Sequence, residues 1–277
     1  MIKKIKNKIK LIAIDLDGTL LRSDNSISSK NKKILNIIKE NILVILTSAR
    51  PPWSIAKIQK VLKMEHYPFI AYNGALVVDI NNNILYDRKI QDLAKVLGAI
   101  SPIITKYNLD IAIYTKDEWY VNKLSDNIFS EKKLTESPSP KYIKNFDKIY
   151  NLKAYKILLI TNEESLTERL KNKIEKVFQE IGLTNSIKIY QSKSKYIEIT
   201  DFLATKGIAL RHIMNKFRID RNNTMAIGDS YVDLTMKNYV GIFVTLNNAP
   251  EDLKKMADFV TKSNDEDGVY YAIKSVI

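Results

Sequence analysis

Asp15-Leu16-Asp17-Gly18-Thr19-Leu20 sets two carboxylates two residues apart, directly after an apolar run at 11–14 that suits a buried strand. If the strand continues, both carboxylates point to one side, and a turn at Gly18 can bring them to one cavity. Like charges crowded at a strand end repel and lose solvation, and a hard cation would neutralise them. Oxygen ligands with no His or Cys among them suit Mg²⁺. Taken alone, two turn-capping Asp residues before a glycine explain the motif equally well. Thr47-Ser48-Ala49-Arg50 offers hydroxyls and backbone N–H groups where a second strand gives way to a helix, a place suited to phosphate, though helix capping also accounts for it. Lys206 opens a helix where an ammonium can reach an anion, but with 37 lysines in the chain such a placement is common. Gly228-Asp229-Ser230-Tyr231-Val232-Asp233 follows another short apolar strand and carries two carboxylates one helical turn apart. An N-capping Asp followed by a surface Asp would look the same.

The elements that must position these groups alternate. Strands are expected at 11–15, 42–46 and 69–72, and helices at 30–40 and 54–62. This β-α-β-α-β opening predicts an α/β fold with a central parallel sheet flanked by helices. The rhythm then changes. A hairpin pairs 75–79 with 84–86, helices cover 93–107 and 164–181, and strands cover 110–114, 119–122, 154–161, 187–191 and 196–200. The polar stretch 130–148, with Pro138 and Pro140, reads as a loop. The α/β rhythm returns at 205–217 and 224–227, so an α+β insert splits one domain: 1–82 and 195–277 form the core, 83–194 the insert.

The chain has 277 residues, no Cys, and only His66 and His212. That excludes disulfide frameworks, Cys-based zinc or iron–sulfur sites and Cys nucleophiles, and leaves little for a Ser-His-Asp triad. The net charge is +13, but it rests on scattered lysines, with one short run at 2–10. Arg, the usual reader of phosphates and bases, is sparse, so solvated helix faces are expected rather than a nucleic-acid surface. No apolar run approaches the roughly 20 residues that span a bilayer. A cytoplasmic protein is expected, with no membrane partner; the oligomeric state is left open.

In chain order the elements are Asp-x-Asp, Thr/Ser, Lys and Gly-Asp-x-x-x-Asp, with the insert between the second and third. In this the chain resembles the haloacid dehalogenase superfamily of phosphatases, specifically Cof-like members with a class IIB cap. Asn73-Gly74-Ala75, Asn247-Asn248-Ala249-Pro250 and Asp265-Glu266-Asp267-Gly268 are similar too. The resemblance implies a Rossmann-like core and a Mg²⁺-dependent phosphatase of small phosphomonoesters such as sugar phosphates, working through an aspartyl-phosphate. It makes Asp15 the nucleophile and Asp17 the general acid and base. Mg²⁺ would be held by Asp15, the Asp17 carbonyl and Asp229, with Asp233 behind them orienting Lys206 or a metal-bound water. Thr47 and the Ser48 N–H would hold phosphoryl oxygens, and Lys206 would balance their charge. Asn73, Gly74 and Asn248 would lie on the substrate side. Tyr114, Trp119, Tyr120 and Tyr155 of the insert could stack on a substrate ring, although core packing explains each singly.

Two departures stand out. Val232 takes the place where similar proteins carry Asn, and Thr-Ser-Ala-Arg replaces a commoner Thr-Gly-Arg-like run. The alternatives are a phosphomutase of the same superfamily or a catalytically weak phosphate- or RNA-binding protein.

Overall fold

The apolar run at the start of the chain forms strand β1 (Leu11–Asp15), buried at all five positions. A computed structural model describes residues 9–79 and 81–277; most of the basic run at 2–10 lies outside the described residues. Helix α1 (Ser29–Ile38) begins where the Ser28 side chain accepts from the Asn31 N–H, satisfying a donor the helix itself cannot. Strand β2 (Leu43–Thr47), helix α2 (Pro52–Leu62) and strand β3 (Phe69–Ala71) follow. Then β4 (Leu76–Val78) and β5 (Ile84–Asp87) pair antiparallel as a hairpin. The Asp79 carboxylate closes its turn by accepting from the Asn81 and Asn83 N–H groups.

The insert contributes α3 (Leu93–Lys106), β6 (Asp110–Tyr114), β7 (Trp119–Val121), α4 (Asp126–Leu134), β8 (Lys141–Tyr142), β9 (Lys156–Ile160), α5 (Glu164–Glu180), β10 (Ile187–Lys193) and β11 (Tyr196–Asp201). The strands form a six-stranded sheet in the order β10-β11-β9-β6-β7-β8. Ile111, Ile113, Ile157, Leu159 and Ile199 on one face meet the apolar stripes of α3 and α5. On the other face Tyr114 stacks on Trp119 at 5.6 Å and Lys156 lies 4.8 Å above the Tyr114 ring. Tyr114, Trp119 and Tyr155 are all buried, so these three aromatics are packing residues of the insert rather than an exposed stacking surface. Tyr120 is half-buried and donates its hydroxyl to Glu118.

The stretch 130–148, expected to be a loop, instead holds the end of α4, strand β8 and a short 3-10 turn at Phe146–Ile149. Helix α4 lacks an apolar stripe, burying only Ile128 and Glu131, so periodicity could not find it. Its ends stabilise it. Ser125 accepts from the Ile128 N–H, Asp126 sits in the first turn, and Lys132 and Lys133 sit in the last, all favourable to the helix dipole.

The chain then returns to the first sheet with α6 (Lys206–Phe217), β12 (Thr224–Ile227), α7 (Tyr231–Leu234), β13 (Ile242–Thr245), α8 (Glu251–Met256), β14 (Phe259–Val260) and α9 (Gly268–Lys274). Strand β14 has only two residues and carries no pattern that marks it in the sequence. The eight-stranded order is β14-β13-β12-β1-β2-β3-β4-β5, parallel from β14 through β3. Leu11, Ala13, Ile45 and Ile70 pack beneath Ala209, Leu210 and Ile213 of α6.

Two compact units result. Of the described residues, one unit comprises those up to Arg50, Ile55–Asp87 and Thr205–Ile277; the other comprises Pro51–Ser54 and Arg88–Ala204. The divisions differ from those expected at 82/83 and 194/195. Pairing decides them: β5 is zipped to β4 in the first sheet, and β11 to β9 and β10 in the second. Among the described residues no helix is long and apolar enough to cross a membrane.

Candidate active site

Strand register brings the carboxylates together. β1 lies between β12 and β2, with Ile14 opposite Ile227 and Asp15 opposite Thr47. The chain therefore leaves β12 into Gly228-Asp229 beside the carboxyl end of β1, where open parallel sheets bind ligands. Lys206 is the first residue of α6, whose N-cap Thr205 accepts from the Ile208 N–H. Its ammonium donates to Asp15 Oδ1 at 2.5 Å and to Asp233 Oδ1 at 2.6 Å. The other Asp233 oxygen accepts from the Ser230 N–H and hydroxyl, the capping box that starts α7. Thr19 donates to Asp229 Oδ1 at 2.8 Å.

Asp15, Asp229 and Asp233 each offer an oxygen, all within 4.8 Å of one another. Burial, reinforced by the Asp233 charge, pushes the Asp15 carboxyl well above the usual range against the pull of Lys206. Burial and Asp233 push Asp229 up to about 6. Burial alone would lower the Lys206 ammonium, but the Asp15 and Asp233 charges outweigh it and raise it. One ammonium against three carboxylates leaves an excess of negative charge among oxygen donors alone. That arrangement fits a divalent cation.

The fit has a testable pH dependence. Between the unfolded value and about 6 the native Asp229 binds more protons than the unfolded one, so stability from this group falls as pH rises through that window. A cation relieves the repulsion only when the proton has left. Added Mg²⁺ should raise the melting temperature more at about pH 7.5 than at about pH 5. An equal or larger gain at the lower pH would contradict a cation bound by these carboxylates.

The second strand end holds two hydroxyls side by side in sequence. The Thr47 hydroxyl is buried and has no hydrogen-bond partner. It is Ser48 whose hydroxyl reaches Asp17 Oδ2, at 3.4 Å, while accepting from the Arg50 N–H at 3.1 Å. Both backbones are tied to the sheet, Thr47 by strand pairing and Ser48 by its N–H to the Ile70 carbonyl. The Asp17 side chain likewise stands apart from the three-carboxylate cluster. It is half-exposed and gripped by Arg50, with Nη2 2.6 Å from Oδ1 and Nε 2.9 Å from Oδ2. Arg50 was not singled out from the sequence, although it closes the Thr-Ser-Ala-Arg run.

Asn73 and Gly74 form a strained brace. Tyr72, Asn73 and Gly74 all have positive φ, at 52°, 54° and 107°. The Asn73 N–H donates to the Ser48 carbonyl, and the Tyr72 N–H to that of Arg50. A Cβ on Gly74 would lie 2.2 Å from the Thr205 carbonyl, so the turn and the start of α6 touch backbone to backbone. The strain thus buys a fixed distance between the Ser48 loop and Lys206. Asn248 is a second brace: its amide donates to the Gly18 carbonyl and accepts from the Asn264 N–H.

The sequence pattern of haloacid dehalogenase-like hydrolases matches residues 12–273. The chain belongs to that family. Its relatives include the 5-amino-6-(5-phospho-D-ribitylamino)uracil phosphatase YwtE of Bacillus subtilis, 28% identical, with 97% of this chain and 98% of that one covered. Phosphatase YwpJ of the same organism is 26% identical over 97% of this chain and 100% of its own. A haloacid dehalogenase-like hydrolase of Bacteroides thetaiotaomicron superposes with a TM-score of 0.86 at 27% identity, covering 98% of this chain and 100% of that one. The chain is thus a phosphatase with the haloacid dehalogenase fold, in its Cof-like branch.

Val232 stands where the resemblance led Asn to be expected. Its half-buried side chain has no hydrogen to donate, and the neighbouring Ser230 hydroxyl already donates to Asp233 at 2.6 Å. The loss of a donor at Val232 is therefore not made good by Ser230 as placed.

Proposed function

We propose that this phosphatase hydrolyses small phosphomonoesters in a Mg²⁺-dependent reaction through an aspartyl-phosphate on Asp15. The observation that carries this reading is the buried Asp15–Lys206–Asp233 triad beside Asp229 at the carboxyl ends of β1 and β12. An Asp15 oxygen attacks phosphorus, and a P–O bond forms to it. The bond to the leaving oxygen breaks, its electron pair stays with that oxygen, and Asp17 supplies the proton. Asp17, now a carboxylate, takes a proton from water as that water attacks phosphorus. The bond to Asp15 breaks, restoring its carboxylate and releasing inorganic phosphate.

Lys206 holds Asp15 in place and balances charge as it transfers from carboxylate to phosphoryl oxygens. The Ser48 hydroxyl, beside Asp17, and the unpartnered Thr47 hydroxyl would meet phosphoryl oxygens, while the Ser48 N–H is already given to the Ile70 carbonyl. Asp15, the Asp17 carbonyl and Asp229 would hold Mg²⁺, with Asp233 supporting them. When bound, the cation neutralises the crowded carboxylates and draws charge from the phosphoryl group. Two B. subtilis relatives are phosphatases of a phosphoribityl compound, which supports a phosphorylated sugar or sugar alcohol as substrate.

The test is release of inorganic phosphate from sugar phosphates, sugar-alcohol phosphates, nucleoside monophosphates and pyridoxal phosphate, with Mg²⁺ or with EDTA. Turnover that needs Mg²⁺ is expected. No turnover on any compound by folded protein, or turnover indifferent to EDTA, would sink the reading.

A further inference from the structure

Helix α6 starts with backbone N–H groups that the helix cannot satisfy from within. Two of them have side-chain partners. The Ile208 N–H donates to the N-cap Thr205, and the Gly207 N–H donates to Thr235 Oγ1 at 3.1 Å. Thr235 lies just past the end of α7, and its hydroxyl donates to the Val232 carbonyl at 2.7 Å. One hydroxyl thus joins two helix ends, accepting from α6 and donating to α7. Each bond lands one residue from the site. Gly207 follows Lys206, and Val232 precedes Asp233, so the bridge accompanies the ion pair in which Lys206 Nζ meets Asp233 Oδ1 at 2.6 Å.

The two helix ends approach closely because Gly207 lacks a side chain. A Cβ there would lie 2.0 Å from the Thr235 carbonyl oxygen. The residue before Lys206 is confined too, since the Thr205 carbonyl leaves no room for a Cβ on Gly74. The backbone on both sides of Lys206 is therefore packed against other backbone, and Thr235 supplies the polar bond on one side.

We propose that Thr235 is a positioning residue for Lys206, fixing the start of its side chain so that the ammonium reaches Asp15 and Asp233 together. The proposal rests on the reading above, in which Lys206 balances charge during phosphoryl transfer. A lysine reaches its partners through four flexible carbons, and both partner carboxylates are buried. A shift of its backbone must be absorbed by rotamer changes or by lengthening bonds of 2.5 and 2.6 Å. Preorganised charge loses effect when it is misplaced, even when the cause lies away from the reacting atoms.

The experiment is a double-mutant cycle on Mg²⁺-dependent hydrolysis of para-nitrophenyl phosphate. Thr235→Val keeps the branched shape and removes the hydroxyl. It should lower kcat by about 3- to 10-fold and change KM by less than about twofold. Thr235→Ser keeps donor and acceptor and should recover most of the loss. In a Lys206→Met background Thr235→Val should have no further effect on kcat, because the group it positions is gone. A purely structural role would lower kcat by the same factor in both backgrounds. That result, or a Thr235→Val kcat within about twofold of native, overturns the proposal. Thr235 is half-buried, so water can solvate the two freed groups and Thr235→Val is expected to fold; Thr235→Ala takes its place if it does not. Asp233→Asn is added to the second background if Lys206→Met alone does not fold.

Urea unfolding of the same proteins gives a readout independent of turnover. Thr235→Val should lower the midpoint more in the native background than beside Lys206→Met, because only the native protein has the ion pair to lose. Equal shifts overturn the proposal. Absence of turnover by the native protein would overturn the underlying reading instead, and the urea cycle then decides whether Thr235 positions Lys206.

Discussion

Asp15→Asn should abolish phosphate release while leaving the protein at least as stable as before. The amide is nearly isosteric but is a far weaker nucleophile for phosphorus, so a loss on the order of 10⁴ or more is expected. Stability should move the other way because the native fold disfavours the Asp15 charge. The carboxyl is raised well above its usual value by burial and by Asp233, so at neutral pH its ionised form costs the fold free energy that a neutral group does not. That cost fades as pH falls toward the unfolded carboxyl value, where native Asp15 is itself protonated. The melting temperature of Asp15→Asn should therefore equal or exceed that of the native protein at about pH 7.5, with the difference shrinking toward about pH 4. Mg²⁺-dependent turnover within tenfold of native would remove Asp15 as nucleophile. A melting temperature lowered by a similar amount at both pH values would remove the idea that its charge strains the fold.

Lys206→Met should damage both properties. The side chain is 1% exposed and its ammonium joins two carboxylates exposed by 7% and 0%. Replacing it with a neutral chain of similar length leaves Asp15 and Asp233 facing each other without a cation. Breaking a buried ion pair from one side costs about 3–5 kcal/mol, because the remaining charge is neither solvated nor paired. Activity should fall by roughly 10²–10³, the usual consequence of losing one preorganised charge at a reacting centre. The stability loss has a sign in pH. With Lys206 gone the Asp15 carboxyl rises further, so the deficit should be large at about pH 7.5 and smaller at about pH 5, where protonation relieves the repulsion. Urea unfolding at the two pH values checks this. Adding Asp233→Asn to Lys206→Met should restore part of the stability, a non-additivity that contact between the groups requires. Additive effects in that double variant would mean the carboxylates do not feel one another.

These charges were legible early because position and residue type agreed. Asp15 and Asp229 each follow an apolar run too short and too buried for anything but a parallel strand, so their location at a ligand-binding sheet end follows from pattern alone. Its four-residue spacing from Asp229 marks Asp233 as a candidate, but Asp229 precedes α7, and in the fold it is the capping box with Ser230 and the bond from Lys206 that hold Asp233 inward. Lys206 was one lysine of many until the other three stretches appeared in order around it.

Other assignments needed the folded backbone. Whether the Thr47 or the Ser48 hydroxyl reaches Asp17 depends on where β2 stops pairing, a boundary no propensity defines to one residue. The resemblance puts Asn248 on the substrate side, and only the fold shows its amide joined to the Gly18 carbonyl and the Asn264 N–H. Helix α4 carries its information in its caps rather than in an apolar stripe, and β14 is too short to show a period. The sheets, not composition, placed Arg88 and Ala204 at the ends of the insert.

The sequence by itself determined the alternation of strands and helices, which follows from local periodicity, and the four motifs in order, whose resemblance to one family carried the reaction class and the carboxylates and lysine at the strand ends. Only the tertiary structure decided which of those carboxylates share a cluster and which one, Asp17, answers instead to Arg50. That choice depends on distances between side chains 33 positions apart, set by strand register and by a strained turn at Tyr72–Gly74. Register fixes which groups lie side by side, and no pattern within a single segment encodes it.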